Sequence, residues 1–220
     1  MPRATSAPPR RQTRRPIETV VQDQDLVAQR HEQIFRAASR VFISRGYHAA
    51  TVREIAQEAG LSLGGLYSYI RTKEDILYLV FDKITTTLRE NMRRAIEGLD
   101  DPVEQIEAAL RADLKTTEQF QDVILLMYQE TKSLGRDSRH AVLSREADYV
   151  KFFEDILRAG YERGVFQGDP RLSADAIAYL CSLLALRRWN LRARFSSAEA
   201  QEELVQFMLR ALGAGKEANR

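Results

Sequence analysis

The sequence predicts an all-α protein of about nine helices, with a small three-helix head at the N-terminus and a larger helical body behind it. Three observations favour this fold class. From about Asp25 onward, apolar residues recur at three- and four-residue steps, as one face of a helix requires. No stretch alternates polar and apolar residues long enough to predict a β-sheet. Capping residues, glycines and prolines recur between the apolar stretches and divide them into separate helices.

Residues 1–24 are predicted to be a disordered basic arm ahead of the head, which we place at residues 25–72. The arm is rich in proline, and five arginines from Arg3 to Arg15 precede its first acidic residue, Glu18. One interpretation is a solubilising tail. The other is an arm that follows DNA phosphates or enters the minor groove.

Capping signals delimit the predicted helices of the head. The first helix ends at Gly46, because glycine readily adopts the left-handed conformation of a helix C-cap. Thr51 and Glu54 form a capping-box pair that opens a short second helix. Ser62 is a suitable N-cap for a third helix, predicted over residues 63–70.

The body, residues 73–220, is predicted to begin with a long helix that Thr72 caps and that runs to about Leu99. Further N-cap residues that open later helices are Asp101, Asp169 and Ser196. The last two helices are predicted over residues 173–194 and 196–212. Their apolar stripes fit either an internal core or an interface with a second subunit.

Composition excludes several classes of function. The single Cys181 cannot form an internal disulfide, which favours a reducing, cytoplasmic location. No segment reaches about 18 uninterrupted apolar residues, so we expect no membrane span. His31, His48 and His140 are isolated, and no motif of a metal, nucleophile or phosphate-binding site is present. We therefore expect no metal, no cofactor and no enzymatic activity.

Charge is distributed unevenly along the chain. Residues 1–73 carry 12 Lys or Arg against 6 Asp or Glu, whereas the rest carries 21 against 25. The head is therefore basic and the body mildly acidic. This asymmetry predicts a polyanionic partner for the head.

Residues 51–77 carry the most informative pattern, TVREIAQEAGLSLGGLYSYIRTKEDIL. Two short helices are joined there by a tight turn at Gly60. The second helix is too short to be stable alone, so it must lean on its neighbours and leave one face outward. The outward face carries Ser62, Gly64, Tyr67 and Ser68, with Tyr69, Arg71 and Lys73 at its far end. A short helix with small residues at its start fits the major groove of DNA, which is about 12 Å wide.

This pattern resembles the helix-turn-helix of the TetR family of repressors. The matching residues are Thr51, Ile55, Ala56, Ala59, Gly60, Ser62, Gly64, Leu66, Tyr67, Tyr69, Lys73, Glu74 and Leu77. The resemblance is strong over residues 30–80, and beyond them only the length and the helix layout match. Three residues depart from the family pattern: Leu63, Gly65 and Ile70.

The resemblance implies DNA-contact roles for the motif. Residues implied to hold the DNA backbone are Thr51, Tyr67, Tyr69 and Lys73, with Arg53 as a further phosphate contact. Residues implied to lie nearest the bases are Ser62, Leu63 and Gly64, and Ser68 shares their face. Leu63 offers apolar contact with a thymine methyl group in place of a polar contact.

For the body, the resemblance implies a homodimer formed through the last two helices, which would bind a palindromic DNA operator. It also implies a ligand cavity among the bulky residues. The candidate ligand-binding residues are Phe81, Leu88, Met92, Phe120, Ile124, Met127, Tyr128, Tyr149, Phe153 and Trp189. We expect a repressor that an apolar or amphipathic effector releases from DNA. The first candidate effector is an acyl-CoA or a fatty-acid-like molecule.

Two alternatives remain open for the body. In the first, the body responds to multiple drugs or aromatic compounds rather than to an acyl-CoA or fatty acid. In the second, the protein binds DNA without responding to any ligand. Arg187, Arg188 and Arg192 flank Trp189, where they form either a solvated surface or a binding site for an anionic ligand.

Overall fold

The computed structural model describes residues 15–214 of the chain, so the predicted arm over residues 1–14 lies outside the described residues. Within that range the secondary structure is helical and no strand is present. The helices are α1 (Gln24–Arg45), α2 (Val52–Glu58), α3 (Leu63–Tyr67), α4 (Lys73–Ala95), α5 (Pro102–Gln119), α6 (Gln121–Glu130), α7 (Arg136–Glu162), α8 (Pro170–Cys181), α9 (Leu183–Leu186), α10 (Arg188–Leu191) and α11 (Ser197–Ala211). A short 3-10 helix, Thr131–Ser133, follows α6. The all-α prediction is confirmed.

The predicted caps explain most helix starts. Thr51 with Glu54 and Ser196 with Glu199 form complete capping boxes, in which each side chain bonds to the backbone of the other residue. Thr72 forms a third box with an aspartate at the third helical position. Each such cap stabilises its helix by about 1 kcal/mol. The sequence therefore predicts well where these helices begin.

The segment ahead of α1 differs from the predicted disordered arm. Residues 15–23 run as extended chain along the head, where the Val20 N–H donates a hydrogen bond of 3.1 Å to the Ser68 carbonyl. The Arg15 guanidinium lies 2.8 Å from the buried carboxylate of Asp75. Because these partners lie about 50 residues further along the chain, local composition does not reveal them.

The helix predicted over residues 173–194 is divided into α8, α9 and α10, so residues 15–214 contain eleven α-helices where about nine were predicted. The break lies at Ser182, whose hydroxyl bonds back to the Ala178 carbonyl at 3.2 Å. Such back-bonding competes with the helical pattern and bends helices. A second break lies at Arg187, whose φ of −118° lies outside the helical range.

The long helices of the body alternate in direction. α4 leads away from the head and α5 returns, so that the Phe120 ring at its end lies 6.4 Å from the Phe35 ring of α1. α7 leads away again, and α8 to α10 return, which brings Arg188 into an ion pair with Asp122 at the start of α6. Phe120 and Asp122 therefore mark the head-proximal end of the body. No described helix is long and apolar enough to cross a membrane.

Two apolar clusters form the core. The first joins the head to the neighbouring part of the body and includes Ile55, Leu66 and Leu77. The second fills the far part of the body and includes Met92 and Phe153. α4 contributes buried side chains to both clusters, so it connects the head rigidly to the body.

Candidate DNA-binding face and ligand cavity

Helix α3 is held in place by one cap and one anchor. The Ser62 hydroxyl accepts a hydrogen bond of 3.0 Å from the Gly65 N–H, and Leu66 is fully buried against the head. Gly60 provides the turn from α2 with φ of 64°, a conformation that favours glycine. With its inner side fixed in this way, α3 presents its opposite side to solvent.

The predicted DNA-contact residues fall into three groups by exposure. The exposed ones are Thr51, Arg53, Ser62, Gly64 and Tyr67. The partly buried ones are Leu63, Ser68 and Lys73. Tyr69 is buried at 8% exposure. The exposed residues lie along α2 and α3, so the structure brings most of the predicted set to one surface.

Tyr69 lies elsewhere than we predicted. It follows α3 and packs with Leu66 and Ile70 into the core of the head. We had expected its hydroxyl at the DNA backbone, but its ring lies on the inner side. Hence Tyr69 supports α3 by packing.

Lys73 is partly engaged within the protein. Its Nζ donates a hydrogen bond of 3.0 Å to the His48 carbonyl and lies 4.6 Å from the centroid of the Tyr47 ring. Burial lowers the pKa of Lys73 below its usual range, although Glu130 and Glu54 oppose this shift. Lys73 therefore fastens the α1–α2 loop to the start of α4, a role that the motif alone did not predict.

Four arginines of the head form ion pairs, whereas Arg53 does not. The pairs in the head are Arg36 with Glu32, Arg40 with Glu58, Arg45 with Glu54 and Arg71 with Glu18. Among residues 15–214, no carboxylate pairs with Arg53. An exposed, uncompensated guanidinium beside α3 is well suited to contact a phosphate.

The body encloses a cavity of about 400 Å³. Its lining residues are Thr85, Leu88, Thr117, Ile124, Met127, Tyr128, Thr131, Val142, Glu146, Tyr149, Val150, Asp175, Ala178, Tyr179 and Ser182. The volume lies within the range of about 300–1,000 Å³ that small-molecule sites occupy. α4 contributes Thr85 and Leu88, so one wall of the cavity belongs to the helix that leads to the head.

Five of the ten predicted ligand-binding residues line this cavity: Leu88, Ile124, Met127, Tyr128 and Tyr149. The other five, Phe81, Met92, Phe120, Phe153 and Trp189, do not. Four of these pack in the core, and Trp189 is 70% exposed on the surface. The prediction selected bulky side chains only. Half of these lie outside the cavity, whose lining also includes smaller polar residues such as Thr85, Thr117 and Ser182.

The exposed lining residues mark the mouth of the cavity, and they include two acids. Glu146 and Asp175 lie there with the Tyr128 and Tyr179 rings. Burial raises the pKa of Glu146 above its usual range, and the charge of Asp175 raises it further. No lysine or arginine is among the lining residues. The mouth is therefore acidic, which the sequence-based prediction did not anticipate.

A buried polar group lies beneath the cavity wall. Asp113 on α5 is fully buried, and neither of its carboxylate oxygens has a hydrogen-bond partner of ordinary geometry. Burial raises the pKa of Asp113 to about 7, while the nearby Cys181 thiol and Tyr149 hydroxyl lower it. Asp113 therefore keeps its proton to a higher pH than an exposed aspartate does.

Metal binding finds no support in the described part of the chain. Residues 15–214 contain no group of three or more His, Cys, Asp or Glu side chains that could hold a metal ion.

Two family models match the chain, one for each part. The model of bacterial regulatory proteins of the tetR family matches residues 34–78. The model of the tetracyclin repressor-like C-terminal domain matches residues 99–212.

Known proteins are similar over most of the chain. The HTH-type transcriptional regulator HbdR of Aromatoleum sp. (strain CIB) is 35% identical over 205 residues, covering 90% of this chain and 88% of that one. The repressor KstR2 of Mycobacterium tuberculosis (strain H37Rv) is 26% identical, covering 69% and 75%. The crystal structure of AibR with isovaleryl coenzyme A and operator DNA matches with a TM-score of 0.71 at 21% identity, covering 84% and 99%. At that identity the structural match shows the fold.

Proposed function

Because the chain belongs to the TetR family of bacterial regulatory proteins, we propose that it is a cytoplasmic repressor that binds a palindromic operator as a homodimer. A small effector that enters the body releases it from DNA. The observation that carries the DNA-binding part is the outward face of α2 and α3, fixed by the Thr51 and Ser62 caps. Like these relatives, the chain is a transcriptional regulator and not an enzyme.

The exposed face of the head suggests how the operator is bound. Ser62, Leu63 and Gly64 at the start of α3 enter the major groove, where Leu63 contacts a thymine methyl group. Tyr67 and Arg53 bind phosphates on either side, since both are exposed and neither side chain is committed to an ion pair.

The dimer interface is proposed on α8 and α11. Both helices carry large apolar side chains that are exposed in the single chain, including Leu172 and Phe207. Exposed residues of this kind are typical of surfaces that another protein covers. Pairing these helices with their copies gives a four-helix bundle with two-fold symmetry, which matches a palindromic operator.

The effector is proposed to be the acyl group of a CoA thioester. The cavity offers apolar walls and several hydroxyl groups, which suit a short acyl or aromatic acyl chain. Since no cation lines the cavity, the phosphates of CoA would remain outside it. The AibR relative is bound to isovaleryl coenzyme A, which is consistent with this choice.

A second effector class is favoured by the acidic mouth. Glu146 and Asp175 would attract a cationic aromatic compound, and the Tyr128 and Tyr179 rings beside them would stack on it. This observation supports the alternative in which the protein responds to drugs or other aromatic compounds.

Release is proposed to act through α4. A ligand against Thr85 and Leu88 pushes on α4, which begins at the head. Two heads must lie about 34–36 Å apart to occupy adjacent major grooves on one face of the DNA. A ligand that prefers the displaced state by about 3 kcal/mol weakens operator binding by roughly a hundredfold.

The experiment begins by selecting an operator from random DNA with the full-length protein. The complex is then titrated with short-chain, long-chain and aromatic acyl-CoAs, free fatty acids and cationic aromatic dyes. We expect release by one class of compound and protection of a symmetric site in footprinting. A lone asymmetric site bound by a monomer would contradict the dimer. If no compound binds, the proposal that a small effector enters the body would be wrong.

A further inference from the structure

Residues 187–194 form an arginine-rich turn, RRWNLRAR, between α9 and α11. Three of its arginines, Arg187, Arg192 and Arg194, are exposed, and no carboxylate among residues 15–214 pairs with them. We name these three the arginine strip. The fourth, Arg188, forms an ion pair with Asp122.

The arginine strip lies at the head-proximal end of the body. Arg188 anchors the turn to Asp122 at the start of α6, and Phe120, two residues earlier, contacts Phe35 of the head. The other ends of α8 and α11 meet at the far end, where the Gln167 N–H donates a hydrogen bond of 2.9 Å to the Leu212 carbonyl. The strip therefore faces the same side of the molecule as the head.

Nearby acids do not neutralise the arginine strip. Glu118 accepts hydrogen bonds from Ser197 and from Gln201, the latter at 2.7 Å. Glu199 caps α11 by bonding to Ser196. Asp122 is paired with Arg188. None of these three acids therefore forms an ion pair with the arginine strip.

Two aromatic rings lie against two of the three arginines of the strip. The Arg187 guanidinium lies 5.5 Å from the centroid of the Trp189 ring, and that of Arg194 lies 5.4 Å from the Phe195 ring. Stacking of this kind reduces the side-chain freedom that binding must otherwise remove. An exposed guanidinium that is already oriented is well suited to bind phosphate.

We propose that the arginine strip is a second DNA-binding surface, which binds backbone phosphates of the operator between the two half-sites. This inference rests on the proposed dimer and operator. When α8 and α11 pair with their copies, the turn that joins them lies near the two-fold axis, on the side of the heads. Two copies of the strip then face the central segment of the DNA.

The test compares two variants of equal charge. Arg187→Gln/Arg192→Gln/Arg194→Gln removes the strip, while Arg93→Gln/Arg94→Gln/Arg163→Gln removes three exposed arginines at the far end. Affinity for the selected operator is measured as a function of salt concentration. Each lost phosphate contact should lower the salt slope by about 0.9, so loss of six contacts would lower it by about 5. We expect a reduction of about 2 to 5 for the strip variant and no change for the control.

A second measurement locates the contact on the DNA. Neutral methylphosphonate linkages in the central segment of the operator should weaken its binding by the wild-type protein and cause no further loss of affinity in the strip variant. Equal salt slopes for the two variants would overturn the inference. So would a strip variant that loses dimerisation or acyl-CoA affinity, because the surface would then serve the partner subunit or the effector. If the wild type selects no operator, the proposed function itself fails.

Discussion

The head and the body are packed for opposite purposes. Around α3 the head buries Leu66, Ile55 and Ile70 without exposure, which fixes the outer face of a five-residue helix. The body leaves about 400 Å³ open between helices that are several times longer. A surface that recognises DNA needs one rigid shape, whereas a site that senses a ligand needs space to fill. The four predictions below test that contrast.

The largest effect is expected from a matched pair of leucine truncations. Leu66→Ala empties a fully buried site in the head and should lower the free energy of unfolding by about 3–5 kcal/mol and abolish operator binding. Leu88→Ala enlarges a void that exists already and should cost only about 2 kcal/mol. Urea unfolding measures both. If both variants lost the same free energy of unfolding, the head would not be more tightly packed than the body at these two sites.

Asp113 should make the stability of the body depend on pH. Its folded pKa of about 7 lies above the unfolded value, so the folded state binds a proton that the unfolded state has released. The contribution of Asp113 to stability is therefore nearly full at pH 4 and is lost as pH rises toward and through 7, by about 2–4 kcal/mol. Asp113→Asn should remove this dependence in thermal unfolding between pH 4 and 8, and Asp100→Asn, at an exposed site, should retain it.

Tyr67→Phe tests the DNA-binding face without disturbing the core, because Tyr67 is 45% exposed. Loss of a hydrogen bond to a charged phosphate costs about 1.5–3 kcal/mol, so affinity should fall roughly ten- to hundredfold for operator and random DNA alike. Tyr161→Phe, at the far end of the body, serves as the control. If the substitution changed the preferred DNA sequence rather than the overall affinity, Tyr67 would contact a base and not a phosphate.

The smallest effect should come from the mouth of the cavity. Glu146→Gln removes one of the two acids there. The affinity for a cationic aromatic effector should fall by about threefold to tenfold, whereas the affinity for an acyl-CoA should stay the same or rise slightly. Glu90→Gln, at an exposed position on α4, is the matched control. Calorimetric titration of both compounds shows which effector class fits the body.

The two regions also differ in how far their sequence predicts them. In the head, local signals are sufficient, because Thr51 with Glu54 and the cap at Ser62 act within four residues. Local signals did not indicate that Tyr69 is buried or that Lys73 bonds to the His48 carbonyl, because both depend on packing between distant segments. They did not indicate that residues 15–23 dock on the head, for the same reason.

The cavity was predicted less well than the face of α3. Bulky side chains such as Phe81 and Phe153 were expected in its wall, yet both are fully buried in the core. The acidic mouth was missed because Glu146 and Asp175 stand 29 positions apart, and only the packing of α7 on α8 brings them together. A void is a property of the assembled helices, and no periodicity in one helix encodes it.

The fastening of α4 at its start has a mechanical consequence. Lys73 holds the α1–α2 loop, and Asp75 holds Arg15 ahead of α1, so the head must turn with α4 as one piece. A helix of 23 residues is about 34 Å long, so pivoting it by only about 5° at its far end sweeps its start through about 3 Å. That distance is the length of a hydrogen bond. A small rotation of α4 near the cavity would therefore displace the head by more than the proposed contacts of α3 with DNA can tolerate.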